Sequence, residues 1–248
     1  MEGLKKLGTG RTAEAFLTPE GRVLKLFYAG YPKDSVEKEL RNAGMVNALG
    51  VPAPRCFGSV EMDGRVGIVY ERAAGESLLS VLLRTGDAEG CARVMAELHG
   101  KLLACELPGE AMDTREFLRR EIQWNRTLPE EKKAEALARL DALPGGRALC
   151  HGDFHPDNVL VDGEKAMVID WMNLSRGNAM CDIAQTWFLL ACSPLPPDVQ
   201  DAEGFSQMRG KLADAYLRHM GVEKAQLADW LPVIKAARFG WPERVGAI

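Results

Sequence analysis

The chain has 248 residues, 46% hydrophobic and 27% charged, with a formal net charge of −4. That length suits one large domain or two intimately packed small ones, and the composition is that of an ordinary globular protein that buries a full core without disulfides or a structural metal. The mild acidity and the lack of any basic run speak against nucleic-acid binding. The six cysteines (Cys56, Cys91, Cys105, Cys150, Cys181 and Cys192) show no CxxC pair and no framework spacing. Most sit in apolar runs, as reduced core thiols of a cytoplasmic protein do. Residues 1–6 lack the apolar stretch of a signal peptide, and the longest strongly apolar run, around Trp187–Cys192, is far too short to span a bilayer.

The first third reads as strands. Leu4–Leu7 leads into Gly8, Thr9, Gly10, Arg11, Thr12 and Ala13, and a second strand over Glu14–Leu17 runs to a turn at Pro19–Gly21. Glycines between strands let backbone N–H groups approach phosphate oxygens, because no side chain blocks them; the same glycines also suit a plain hairpin turn. The third strand, Val23–Tyr28, carries Lys25 as its sole charge, with apolar residues packed on both faces. An unpaired buried ammonium is costly, so Lys25 needs an anionic partner, unless it snorkels from an edge. The next helix opens at Pro32, with Asp34 and Ser35, and Glu37 stands as a capping-box partner for Asp34. Val36, Leu40, Ala43 and Val46 mark its buried face, and Glu39 falls at the centre of that stripe. Lys25 is the obvious partner for such a carboxylate.

Strands at Arg55–Val60 and Arg65–Tyr70 follow, joined by a turn at Met62–Gly64. Beyond Glu71–Gly75 the pattern turns helical, apart from 147–170, so a boundary near Glu71–Glu76 divides residues 1–72 from 73–248. Helix 87–106 presents Cys91, Val94, Met95, Leu98, Leu102 and Cys105 on one face, and His99 beside them reads as a hydrogen-bonded structural histidine. Helices are expected over 114–126 and 129–143, the latter with Glu/Lys pairs on a solvated face.

Residues 151–170 read HGDFHPDNVLVDGEKAMVID. Asp153 is followed five positions on by Asn158, and twelve further by Asp170. Two short apolar strands, Asn158–Val161 and Lys165–Ile169, joined by a turn at Asp162-Gly163, would return Asn158 and Asp170 to the same end. ATP-dependent kinases need such a set: an Asp that accepts the acceptor hydroxyl's proton, then an Asn and a second Asp that hold Mg²⁺, a hard cation that prefers oxygen ligands. A rival reading takes the alternating His151, Asp153 and His155 as metal ligands on one face of an extended strand, as in a metallohydrolase. Asp182 opens an apolar helix through Trp187 and Leu190, where its plain role is to cap that helix or brace the catalytic loop.

The run His151–Asn158, followed by Val168–Trp171, closely resembles the aminoglycoside phosphotransferase and choline-kinase-like branch of small-molecule kinases. The likeness extends to Val51–Pro54, Glu97–His99 and Cys181–Ile183 and spans almost the whole chain. It implies an α+β, bilobal protein-kinase-like fold: a five-stranded antiparallel sheet with one helix in the amino-terminal lobe, a mainly helical carboxy-terminal lobe, and ATP between them. On that resemblance Asp153 orients and deprotonates the acceptor hydroxyl, and Asn158 and Asp170 hold Mg²⁺. Lys25, steadied by Glu39, clamps the α- and β-phosphates beneath Gly8–Thr12, and backbone groups at Glu71 and Ala73 meet the adenine edge.

Features separate the chain from protein kinases. Gly152 replaces the HRD arginine, Trp171-Met172 follows Asp170 in place of Phe-Gly, and no Ala-Pro-Glu appears. Only eleven residues lie between Asp170 and Asp182, little room for an activation segment. Ala13 stands where a third glycine would make the phosphate loop grip more closely. The acceptor is a small hydroxyl-bearing molecule, an amino sugar by resemblance, with choline, homoserine, sugars and nucleoside-like compounds as other candidates. Asp113, Glu116, Glu121, Asp201 and Glu203 read as solvated surface that is also suited to a cationic acceptor. A protein kinase, or an ATP-binding regulatory protein with little turnover, are the other classes compatible with these motifs.

Overall fold

The computed structural model describes residues 3–193 and 201–238. In chain order, strands β1 (Lys5–Thr9), β2 (Ala13–Leu17) and β3 (Val23–Phe27) precede helix α1 (Lys33–Leu49), then β4 (Cys56–Met62) and β5 (Arg65–Tyr70). After a two-residue strand β6 (Glu76–Ser77) come helices α2 (Leu78–Thr85), α3 (Ala88–Leu103), α4 (Thr114–Trp124) and α5 (Glu130–Ala142). Strands β7 (Ala148–Cys150), β8 (Val159–Asp162), β9 (Lys165–Val168) and β10 (Ser175–Gly177) lead to α6 (Ala179–Cys192), α7 (Ala202–Met220) and α8 (Leu231–Arg238).

The chain divides into two compact units, Met1–Glu76 with Leu160–Met172, and Ser77–Val159 with Asn173–Ile248. The first holds an antiparallel sheet in the order β1-β2-β3-β5-β4. Asp63 (φ 49°) and Gly64 (φ 72°) make the tight turn between β4 and β5, the left-handed pair a twisted two-residue hairpin demands. Side chains alternate across the sheet. Leu24 and Leu26 pack with Phe16 on one face, while Ala13, Phe27 and Ile68 pack with Val36 of α1. Ala13 is therefore a core residue of β2. The capping box expected at Asp34 and Glu37 is not formed. Lys33 is already helical, so Asp34 lies in the first turn, and Pro32 occupies the cap position with no side-chain bond.

Reading along the chain placed residues 160–172 with the helical part, whereas they cluster with the first unit. The reason is backbone bonding: Val168 N donates to Pro52 O (2.8 Å), and the buried Asn42 amide donates to the carbonyls of Trp171 (2.7 Å) and Met172 (3.3 Å). Gly75 (φ 95°) allows the close pass, since a side-chain carbon there would collide with the Val161 carbonyl. The hairpin turn falls at Gly163-Glu164, one residue later than expected, and Asn158 closes a 3₁₀ turn over Pro156–Asn158 before β8 begins.

In the second unit α3 packs against α7, α7 against α6, and α8 against α4, α5 and α6. Strands β7 and β10 pair antiparallel through Cys150↔Ser175. Met95, Leu102, Leu149, Phe154, Cys181, Leu212 and Tyr216 are buried among them. Asp113 and Asp201 are helix caps rather than free surface acids. The Asp113 carboxylate accepts from Arg115 N and Glu116 N, and that of Asp201 accepts from Gly204 N. Helix α4 stops at Trp124 because the Asn125 side chain folds onto Thr127 N and Leu128 N. Helix α3 ends before Cys105. All six cysteines are free thiols, and among the described residues no helix is long and apolar enough to cross a membrane.

Candidate active site

Lys25 sits mid-strand in β3, paired with Ala15 and Ile68, and its side chain leaves the sheet on the α1 side. Its ammonium donates to both Glu39 oxygens, at 2.8 and 2.9 Å, and to Asp170 Oδ1 at 2.9 Å. Glu39 is 1% exposed and also accepts from the Tyr70 hydroxyl at 3.0 Å. Burial by itself would lower the Lys25 pKa, but the two carboxylates outweigh it and hold the ammonium above the ordinary lysine range. Burial, with Glu39 alongside, drives the Tyr70 hydroxyl far up, so it stays a donor. Asp170 adopts the left-handed conformation (φ 64°), rare for a residue with a side chain, and its carboxylate remains 45% exposed.

The turn after β1 is closed by Gly10 N on Ala13 O (2.8 Å), and the Tyr28 hydroxyl donates to Gly10 O (2.9 Å). Gly8 and Thr9 belong to β1, with a bulge between Lys6 and Gly8, while Gly10, Arg11 and Thr12 form the turn. Among the described residues no atom lies within 4 Å of where a Gly8 side chain would start, so their packing does not demand a glycine there. Glu71 N is committed to Arg55 O (2.7 Å), and Ala73 is half-buried in the segment that leaves β5.

In the second unit the 151–158 loop is shaped by groups from distant helices. Asp182 is fully buried in the first turn of α6, whose cap is Asn178. Its carboxylate accepts from His151 N (2.6 Å), Gly152 N (2.9 Å) and His99 Nε2 (3.0 Å). Burial alone would raise its pKa; the His99 bond and the loop donors lower it below the usual carboxylate value. His99 Nδ1 in turn meets the Tyr216 hydroxyl at 2.6 Å. His99 is thus the hydrogen-bonded structural histidine expected, and Asp182 braces the loop without capping the helix.

Gly152 has φ 76°, and a side-chain carbon there would press on Asn173 O, so only glycine fits where protein kinases carry arginine. The left-handed turn also breaks the extended strand on which His151, Asp153 and His155 were to align. His151 is fully buried with Nδ1 accepting from Asp153 N (3.2 Å), and His155 Nε2 lies on Asn158 Nδ2 (3.1 Å). Among the described residues no three His, Cys, Asp or Glu side chains converge as a metal site.

The Asp153 carboxylate lies between Arg238 (3.6 Å) and His155 (3.8 Å). Burial pushes its pKa up, but His155, Arg238 and His151 more than offset that, bringing it to about 2. It is therefore an ionised acceptor at any ordinary pH. Asn158 Nδ2 donates to Asp153 O (2.9 Å), which turns its nitrogen inward and leaves Oδ1 as the atom available to a cation. Three contributors escaped the sequence reading: Tyr70, Asn42 and Arg238. A tyrosine at a strand end and an arginine at a helix end carry no local signal, whereas Asn42, a polar residue on the buried face of α1, did offer one.

Among solved structures the chain is similar to an aminoglycoside-3′-phosphotransferase of type VIII (18% identity, TM-score 0.63, covering 96% of this chain and 94% of that one). It is similar too to aminoglycoside phosphotransferase APH(3″)-Id from Streptomyces rimosus (19%, 0.60, 95% and 93%) and to a choline/ethanolamine kinase family protein from Mesorhizobium loti (20%, 0.57, 94% and 75%). No curated protein matches by sequence. The five-stranded antiparallel sheet with its helix, and the mainly helical second unit, make this an α+β protein of the protein-kinase-like fold. A sequence model of the phosphotransferase enzyme family matches residues 4–229, and the chain belongs to that family.

Proposed function

We propose that this phosphotransferase moves the γ-phosphoryl group of ATP to a hydroxyl of a small molecule, with Mg²⁺ as its metal. The observation that carries the reading is the Lys25 ammonium held by Glu39 and Asp170 together, a cation fixed in place by two carboxylates. In this reading Lys25 clamps the α- and β-phosphates, and the open space over Gly8 supports a role for residues 8–12 in covering them. Backbone groups at Glu71 and Ala73 bond the base.

Asp170 Oδ2, Asn158 Oδ1 and water are hard oxygen donors that fit Mg²⁺. The ion, when bound, neutralises charge that develops on the transferring phosphoryl group. Asp153 holds the acceptor hydroxyl and takes its proton. With a pKa of about 2 it is a weak base, so its proton transfer comes late and its main work is orientation. The neighbours' ligands support nucleotide and small-acceptor chemistry: amicoumacin kinase was solved with AMP-PNP, Ca²⁺ and Ami, and APH(3″)-Id with ADP and streptomycin. The short Asp170–Asp182 interval favours a small acceptor over a peptide, an amino sugar being the first to try. The free thiols support a cytoplasmic setting.

The test is ADP release by purified protein with MgATP against a panel of amino sugars, choline, homoserine, sugars and nucleosides. Acceptor-stimulated release that Asp153→Asn lowers roughly 10²-fold or more upholds the proposal. Peptide phosphorylation in its place would make the protein a protein kinase, and nucleotide binding without turnover on any acceptor would make it regulatory.

A further inference from the structure

The last described residue of helix α8 is Arg238, whose side chain is 10% exposed. Val233, Ile234, Ala236 and Ala237 bury the helix, and the Asn125 amide ties it to the end of α4 by donating to Ala236 O at 3.0 Å. The Arg238 guanidinium donates to Gly152 O at 2.7 Å and stands 3.6 Å from Asp153 Oδ1. Glu121 and Asp182 add negative charge around it. A guanidinium is costly to bury unless it is paired, and its planar fork fixes the direction of whatever it pairs with. Gly152 cannot be arginine, because its left-handed backbone and the nearby Asn173 carbonyl exclude a side chain. The loop therefore lacks an arginine of its own beside Asp153, and one arrives from near the far end of the described chain.

We propose that Arg238 is a positioning residue for phosphoryl transfer: by gripping the Gly152 carbonyl and facing Asp153 Oδ1, it sets the carboxylate against the acceptor hydroxyl. The proposal rests on the phosphotransfer reading above. Oδ1 faces the guanidinium and Oδ2 faces the His155 ring, so the plane of the carboxylate is set by two groups of different origin. Arg238 acts through Asp153 and not on nucleotide. A displacement near 1 Å at a reacting group costs roughly 10²-fold in rate.

The experiment is a double-mutant cycle in the acceptor-stimulated assay, with Arg238→Met and Asp153→Asn alone and together. Arg238→Met is expected to lower kcat about 10²-fold with the KM for ATP unchanged, and Arg238→Lys to recover part of that loss. In the Asp153→Asn background, Arg238→Met should cost nothing more, because residues acting as a unit are non-additive. If Arg238→Met does not fold, Arg238→Lys runs the same cycle. An equal fold-loss in both backgrounds, or a loss confined to KM, overturns the inference, as does Asp153-dependent turnover indifferent to Arg238. Wild-type protein with no Asp153-dependent turnover would instead overturn the phosphotransfer reading itself.

Discussion

Replacing Asp182 by Asn tests the claim that one buried carboxylate holds the 151–158 loop. Asp182 Oδ2 accepts from His151 N and His99 Nε2, and Oδ1 accepts from Gly152 N, all three away from solvent. An asparagine offers one oxygen and one donor. In its better orientation the oxygen keeps the two Oδ2 bonds, now neutral, and the new amine faces the Gly152 N–H. The orphaned donor costs roughly 1–3 kcal/mol, and each surviving bond weakens by roughly 1 kcal/mol on losing its charge. Burying an amide is easier than burying a carboxylate, which returns part of this, so the net loss is about 3 kcal/mol, at the low end for breaking a buried charged pair. At this chain length that shifts Tm by roughly 6–12 °C. Asp182 has a folded pKa below its unfolded value, so its stabilisation is complete above the ordinary carboxylate pKa of about 3.9 and is lost as pH falls through the folded value. Urea unfolding of both proteins at pH 7, and again at pH 3, should show a gap that narrows on acidification. A loss under about 1 kcal/mol at pH 7, or a gap that widens in acid, would refute the reasoning.

Lys25→Met leaves Glu39 buried without its cation and should weaken MgATP binding by calorimetry at least ~10-fold, as loss of a buried charge partner does; wild-type affinity would sink the clamp assignment. Tyr70→Phe removes only the 3.0 Å bond to Glu39, worth about 1 kcal/mol, so nucleotide affinity should fall by roughly 5-fold at most, with kcat unaltered. Asp153→Asn should keep MgATP affinity while kcat drops roughly 10²–10⁴-fold, and Asp170→Asn should lose the metal dependence of nucleotide binding. Metal titrations of both variants decide it, and the reverse pattern would exchange the two roles. Because Asp153 is held at about 2, the rate should show no acidic limb from this group down to pH ~4; a kcat falling below pH 6 in step with one ionisation would assign the loss to another group.

The Lys25–Glu39 pair was legible because each residue is a lone charge on a face whose neighbours are apolar. That conflict is written in the local pattern, and only a partner resolves it. Their separation of 14 residues spans one strand and one helix, few enough elements for the partner to be named. The five strands and their turns were legible for the same reason, since alternation and turn residues act over short range. The start of α6 slipped by about one turn because Asn178, four residues earlier, took the cap in place of Asp182.

The 151–158 loop is a different case. Residues 151–158 have no repeat and little regular structure, so their own order says which groups are present but not where they point. Their geometry is set by Asp182 of α6, His99 of α3 through Tyr216 of α7, and Arg238 of α8, the last 86 residues from Gly152. Asp182 and His99 stand out in the sequence as polar residues of apolar helices, whereas Tyr216 and Arg238 sit in helices whose local pattern is explained by packing, so that pattern holds no trace of their second duty. Burial would raise the Asp153 pKa; His155 and His151 within the loop and Arg238 from outside it together lower it. A short loop that carries a half-buried ionised carboxylate needs such outside support, because an unpaired charge is costly to hold away from water. The helices that pack the second unit therefore also set the site, and substitutions in their buried faces should reach the chemistry through the loop before they reach the fold.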